Sequence, residues 1–153
     1  MKFKILAIGK SKHSFIAEGE AEYIKRLRPY APLEIQELEA KTDLPEAQMK
    51  DVEAEMLLKR VPERAVLIAL DENGKKFTSK EFSDWLAKQA LSGAHEFCFV
   101  IGGAVGLGEQ VKKASRLMLS LSPMTFTYQM ARLLLVEQLY RATTVMKGIP
   151  YHK

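Results

Sequence analysis

The chain has 153 residues, 47% of them hydrophobic and 27% charged, which matches one compact domain with a proper core. Its formal net charge of +4 is unevenly spread: residues 1–60 balance 11 Lys/Arg against 11 Asp/Glu, whereas residues 111–153 carry 7 against 1. The composition excludes a disulfide scaffold, since Cys98 is the only cysteine, and no apolar run is long enough for a transmembrane helix.

The opening KFKILAIG at 2–9 is a short apolar run with β-branched content that ends at Gly9, and it predicts a first strand. The start lacks a signal-peptide cleavage pattern, so a cytoplasmic protein is expected. A polar loop, Lys10-Ser11-Lys12-His13, follows. From Ser14 to Leu27, Phe15, Ile16, Tyr23, Ile24 and Leu27 recur at helical spacing, with Glu18, Glu20, Glu22, Lys25 and Arg26 mostly on the other face. Arg28 and Pro29 end that helix.

LEIQELE at 33–39 predicts a second strand in which Leu38 falls one step out of phase with Leu33 and Ile35. Pro45 opens a helix over 46–60 with Met49, Val52, Met56 and Leu57 along one side. AVLIAL at 65–70 predicts the third strand, and Asp71-Glu72-Asn73-Gly74 turns the chain. Thr78 or Ser79 caps a helix reaching Leu91, with Phe82, Trp85, Leu86 and Ala90 inward and Gly93 closing it. EFCFVIG is the fourth strand, and Cys98 inside it reads as a core residue.

This alternation predicts an α/β fold: a mostly parallel sheet flanked by helices on both faces, one domain spanning 1–153. A short helix from Glu109, a strand near 117–122 and a long helix from Tyr128 to about Met146 complete it.

The chemistry concentrates in the C-terminal third. IGGAVGLG at 101–108 places four glycines at a strand's C-terminal end, where α/β sheets bind ligands and missing side chains open access to backbone donors. The order of the glycines is not that of a dinucleotide fingerprint, and no GK[ST] follows to make a P-loop. A tight turn alone would also account for them. The second loop, LSLSPMTF at 119–126, mixes hydroxyl and apolar residues that suit an uncharged adenine ring, and several of its apolar residues also suit the core. His13, His95 and His152 share no ligand spacing, and no metal is expected.

On the last helix, Met130, Leu133, Leu134, Leu139 and Ala142 suit burial. Arg132, Glu137 and Arg141 are charges, and Glu137 and Arg141 at i, i+4 can form an ordinary surface ion pair or serve a site. The ending IPYHK offers a stacking ring in Tyr151, a group titrating near neutrality in His152 and a phosphate-binding cation in Lys153.

Taken together, IGGAVGLG, LSLSPMTF and QMARLLLVEQLYRATTVMKGIPYHK resemble the ribosomal RNA large-subunit methyltransferase H family of the SPOUT class, over essentially the whole chain. Ala104-Val105 departs from a more polar pair common in that loop. The resemblance implies a C-terminal trefoil knot, an exception to the rule against threaded connections. It also implies S-adenosyl-L-methionine (SAM) as cofactor, held by Leu70, Gly102, Gly103 and the stretch Leu121, Ser122, Pro123, Met124, Thr125 and Phe126. The implied reaction is methylation of N3 of a pseudouridine in helix 69 of 23S rRNA, on assembled 70S ribosomes, by a homodimer.

The ring nitrogen is weakly acidic, so a base or donors to the flanking carbonyls would help. His152 is the first candidate base and Glu137 the second, with Tyr151 stacking on a base and Arg132, Arg141 and Lys153 on phosphates. Two other readings compete: a non-catalytic ribosome-binding or assembly factor, and a nucleotide-binding protein using the glycine loop.

Overall fold

The computed structural model describes residues 1–153 as ten elements: β1 (Lys2–Ile8), α1 (Ser14–Leu27), β2 (Leu33–Leu38), α2 (Glu46–Leu58), β3 (Val66–Lys76), α3 (Ser79–Leu91), β4 (Glu96–Ile101), α4 (Glu109–Ala114), β5 (Leu117–Ser120) and α5 (Tyr128–Met146). The five strands form one parallel sheet in the order β2-β1-β4-β3-β5. β1 and β4 are central and nearly wholly buried, which is why both read as continuous apolar runs rather than alternating ones.

Each face of the sheet carries its own core. Phe3, Ile5, Phe97, Phe99 and Ile101 pack under α1, α3 and α5 with Leu27, Phe82, Leu86, Leu135 and Leu139. Leu6, Ile8, Cys98 and Val100 face the other way, against Ala54 and Leu57 of α2 and Val111 of α4. The out-of-phase Leu38 is explained by this double coverage: Leu33 and Ile35 serve the first core, while Leu38 serves the second. Burial pushes the Cys98 thiol up to about 12, consistent with a core role.

Three local expectations shift. α2 buries Leu57 of the expected stripe and packs Met56 partly against the core, but it turns Glu53 and Ala54 inward in place of Met49 and Val52, which stay half-buried. β3 does not stop at Leu70: both Leu70 and Lys75 pair with Leu119, so residues 71–74 leave the ladder as a four-residue excursion before pairing resumes. A Cβ on Gly74 would meet the Met118 carbonyl oxygen at 2.6 Å, so only glycine lets the returning strand close on β5. Finally, Phe15 opens α1 on the outside, 59% exposed, while Glu20 of the supposed polar face is buried.

α5 packs between α1 and α3 against the middle of the sheet, although β5, the strand before it, lies at the sheet's edge. The connecting loop 121–127 therefore crosses the C-terminal ends of the strands. The Thr125 hydroxyl bonds the Glu72 carboxylate beyond β3, and the Tyr128 ring packs where a Cβ on Gly9 would sit, 3.1 Å away, beyond β1. Thr127 caps the new helix, its hydroxyl accepting from the Met130 N–H at 3.3 Å.

Candidate functional site

The crossing loop roofs a cavity of about 680 Å³ at the strands' C-terminal ends, a volume that suits a cofactor-sized ligand. Three segments line it: Leu70 to Asn73 where β3 leaves its ladder, Ile101 to Leu107 from the end of β4, and Leu121 to Thr127 after β5, of which Pro123 alone is turned out of the lining. Leu70, Gly102, Gly103, Leu121, Ser122, Met124, Thr125 and Phe126 thus meet at one site as expected. Met124, 73% exposed, and Phe126 form an apolar rim that water covers at a cost.

The glycine loop is shaped by contacts that admit no side chain. Gly103 and Gly106 form an antiparallel bridge, with the Gly106 N–H donating to the Gly103 carbonyl at 3.1 Å. A Cβ on Gly102 would lie 2.7 Å from the Gly106 carbonyl carbon, one on Gly103 would press on Ile8 at 3.0 Å, and Gly106 itself has φ +75°. The roof is ordered from within: the Ser120 hydroxyl donates to the Ser122 carbonyl at 3.0 Å, and the Ser122 hydroxyl accepts from the Met124 N–H at 3.0 Å.

Sequence reasoning missed the charged wall. Asp71 accepts from the Asn73 N–H at 2.9 Å and pairs with Lys112 of α4 at 2.8 Å, and Lys50 of α2 joins the lining. Burial works against the Asp71 charge, but the bonds from Lys112 and Asn73 outweigh it and hold the carboxyl below its ordinary range. The Asp-Glu-Asn-Gly stretch was the available signal, because its turn chemistry marks where β3 leaves the ladder beside the cavity. Tyr128, Gln129 and Ala131 at the start of α5 complete the wall.

The second group of expected residues also assembles. At the far end of α5, Arg141 donates to Glu137 Oε1 at 2.8 Å, and the Tyr151 hydroxyl donates to the same oxygen at 2.9 Å. The Arg141 guanidinium lies over the Tyr151 ring, 4.6 Å from its centroid, and Tyr140 packs against that ring with centroids 4.7 Å apart. Burial, then hydrogen bonding to Tyr23 and Glu137, raises the Tyr151 pKa above that of an ordinary phenol. His152 Nδ1 lies 3.4 Å from Arg141 Nη1, where it can only accept, because a guanidinium only donates. Glu137 Oε2 takes the Gln138 amide at 2.7 Å, so both its oxygens are engaged. His152 and Lys153 are exposed.

Arg132 requires a correction. It was expected on RNA phosphates, yet it is 2% exposed, with its guanidinium on Glu20 at 2.5 Å and on Glu37 at 2.8 Å and bonded to the Ser11 hydroxyl. A cation enclosed by two carboxylates is a structural clamp, out of reach of a polyanion.

The cavity and the tail cluster stand apart within one chain. Ala131 lines the cavity, and Glu137 and Arg141 lie 6 and 10 positions farther along the same helix, about 9 and 15 Å at 1.5 Å per residue.

Comparison with known proteins gives consistent results. A family model described as "Predicted SPOUT methyltransferase" matches residues 1–152. The chain is 42% identical, over 100% of both chains, to the ribosomal RNA large subunit methyltransferase H of Halothermothrix orenii. It is 44% identical, again over 100% of both, to the protein of that name from Desulfotalea psychrophila. Among solved structures, a probable methylase family protein from Haemophilus influenzae matches with a TM-score of 0.54 at 15% identity, covering 99% of this chain and 70% of that one, a likeness of fold.

Proposed function

We propose, from the fact that this chain belongs to the SPOUT methyltransferase family, that it is a SAM-dependent methyltransferase of large-subunit ribosomal RNA. The finer reading is methylation of N3 of a pseudouridine in helix 69 of 23S rRNA, on assembled 70S ribosomes in the cytoplasm. One observation carries the methyl-donor part of this reading: the three-loop cavity, in which glycines expose backbone groups beneath an apolar roof. An adenine ring needs such edges to hydrogen-bond and apolar walls to pack on, and about 680 Å³ accommodates the whole cofactor.

When bound, SAM supplies an electrophilic methyl group. Leu70, Leu121 and Phe126 would sandwich the adenine, the backbone of Gly102, Gly103 and 122–125 would take its polar edge, and Asp71 would face the polar part of the molecule. The chain's remaining task is to orient the acceptor nitrogen and relieve it of one proton.

That task falls to the tail cluster. Glu137, with both oxygens occupied, positions Arg141 and Tyr151. Arg141 would donate to the oxygen that gains negative charge as the ring nitrogen loses its proton. His152 is the base in this reading, since its contact to Arg141 at 3.4 Å is loose enough to be exchanged for substrate. Lys153 would neutralise a neighbouring phosphate.

Because the tail cluster lies about 9 to 15 Å along α5 from the cavity in one chain, the tail of a second subunit would complete the site. A homodimer is also supported by α5 itself. Leu135, Val136 and Leu139 are buried beneath it, while Met130, Leu133 and Leu134 leave apolar surface on its outer side, where a partner helix would pack. The family's C-terminal knot would form where loop 121–127 crosses the strand ends to deliver α5 between α1 and α3.

The test is transfer of labelled methyl from SAM to 70S ribosomes that lack the modification, followed by location of the modified nucleotide. Label on a helix 69 pseudouridine supports the reading, and loss of turnover in His152→Ala with unchanged SAM affinity supports the assigned base. SAM binding with label elsewhere in the large subunit would overturn the named nucleotide. No SAM binding would leave a ribosome-binding factor in its place.

A further inference from the structure

The loop between β1 and α1 is unusual in what it exposes and in how firmly it is held. Lys10, Lys12, His13 and Phe15 are all exposed, and neither lysine enters an ion pair. Phe15, 59% exposed, stacks with the His13 ring, centroids 5.5 Å apart and planes at 26°. The first turn of α1 adds no acidic residue to offset the lysines. A large ring left in water on a helix that had an apolar face to offer it is a cost the fold does not require.

Five bonds immobilise the backbone beneath these groups. The Gly9 N–H donates to the Leu38 carbonyl at 2.7 Å, the Ser11 N–H to Glu37 at 3.1 Å and the Lys12 N–H to the Gln129 side chain at 2.9 Å. The Tyr128 hydroxyl reaches the Lys10 carbonyl at 3.4 Å, and the buried Arg132 holds the Ser11 hydroxyl. Tyr128 and Gln129 are themselves lining residues of the cavity, and Gly103, another, rests on Ile8. The loop is therefore a rigid lip fixed to the rim of the methyl-donor cavity.

We infer that residues 10–15 form an RNA-gripping lip: Lys10 and Lys12 contact backbone phosphates, and the Phe15–His13 pair is a platform on which an unpaired base next to the methylated one stacks. This rests on the rRNA methyltransferase reading above. Two unpaired cations beside a bare aromatic face match a single-stranded or looped RNA, because stacking accepts any base while the lysines follow the backbone. In this arrangement the Arg132 clamp serves RNA at one remove, by fixing Ser11 between the two lysines.

The experiment compares the wild-type chain with K10E/K12E and with F15A, all at surface positions. Methyl transfer to unmodified 70S ribosomes is followed between about 50 and 200 mM salt. SAM affinity and sedimentation are measured alongside. In K10E/K12E the KM for ribosomes should rise at least about tenfold, and the slope of log affinity against log salt should flatten by about 1.4 to 1.8, the value for two lost phosphate contacts. F15A should raise KM about tenfold and leave the slope unchanged, as loss of a neutral stack requires. SAM affinity and dimer mass should not move in either.

Wild-type KM and slope in both variants would overturn the lip. So would a shift to monomers in F15A, which would assign the ring to a contact between copies of the chain. If the wild-type chain transfers no methyl, the parent reading falls, and cosedimentation with 70S ribosomes becomes the readout. Equal retention of wild-type and K10E/K12E would then overturn the lip, as would no retention of the wild-type chain.

Discussion

Replacing Arg132 with alanine should be among the most damaging single changes available to this chain. The substitution leaves Glu20, 6% exposed, with a charge and no cation, and it frees one of the groups holding Glu37 and Ser11. Breaking a buried pair from one side costs about 3 to 5 kcal/mol, because the orphaned carboxylate keeps its desolvation penalty. For a chain of this size that corresponds to a drop in Tm of about 6 to 20 °C, measured by scanning calorimetry at matched protein concentration.

The pH dependence sharpens this prediction. For Glu37, burial works against the charge, while the Ser11 N–H and the Arg132 guanidinium together hold the carboxyl below its ordinary value. A carboxyl lowered on folding contributes stability that is present above its unfolded pKa and is lost as pH falls through the folded value. The gap between wild type and Arg132→Ala should therefore be widest near neutrality and narrow as pH falls from the ordinary carboxylate range through the lower folded value of Glu37. Arg132→Met combined with Glu20→Leu should recover much of the loss, since it removes both buried charges and leaves only the part-exposed Glu37, still accepting from the Ser11 N–H, without its cation. A loss of less than about 1 kcal/mol at neutral pH, the scale of an exposed pair, would refute the burial argument.

Gly102→Ala places a Cβ 2.7 Å from the Gly106 carbonyl carbon, so the loop must move, and SAM affinity by calorimetry should fall at least about tenfold while the chain stays folded. Glu137→Gln removes the charge that gathers Arg141 and Tyr151; methyl transfer should drop by about 10- to 100-fold with stability within about 1 kcal/mol, and unchanged turnover would disconnect this cluster from the reaction. Cys98, buried with its pKa pushed up to about 12, should ignore a thiol reagent at mildly alkaline pH until the chain is unfolded, and rapid labelling of the native protein would contradict its core placement.

Much of this was readable without coordinates because local signals agreed with one another. β1 and β4 announce themselves as apolar runs, Thr78 as one of two candidate caps, and the glycines of 101–108 as a loop that must come close to something. The glycine loop that lines the cavity was picked out because α/β sheets bind ligands where strands end, a rule that depends on sequence order alone. The i, i+4 spacing of Glu137 and Arg141 likewise predicted a pair that does form, though not that Tyr151 would share its oxygen.

What tertiary structure alone decided involves partners far apart in sequence. Arg132 looked like a free cation until the fold brought Glu20, 112 residues away, against it. Phe15 fitted a helical stripe, but the stripe's edge, and so whether the ring is covered or bare, depends on how α1 rolls against α5. Asp71 joined the site only because Lys112 and the returning strand after Gly74 hold the excursion of β3 beside the glycine loop. Amphipathic periodicity and turn chemistry are written within a few residues of each other and so survive in a linear reading. The burial of a charge is set by the sum of everything packed around it, and that sum exists only once the chain has folded.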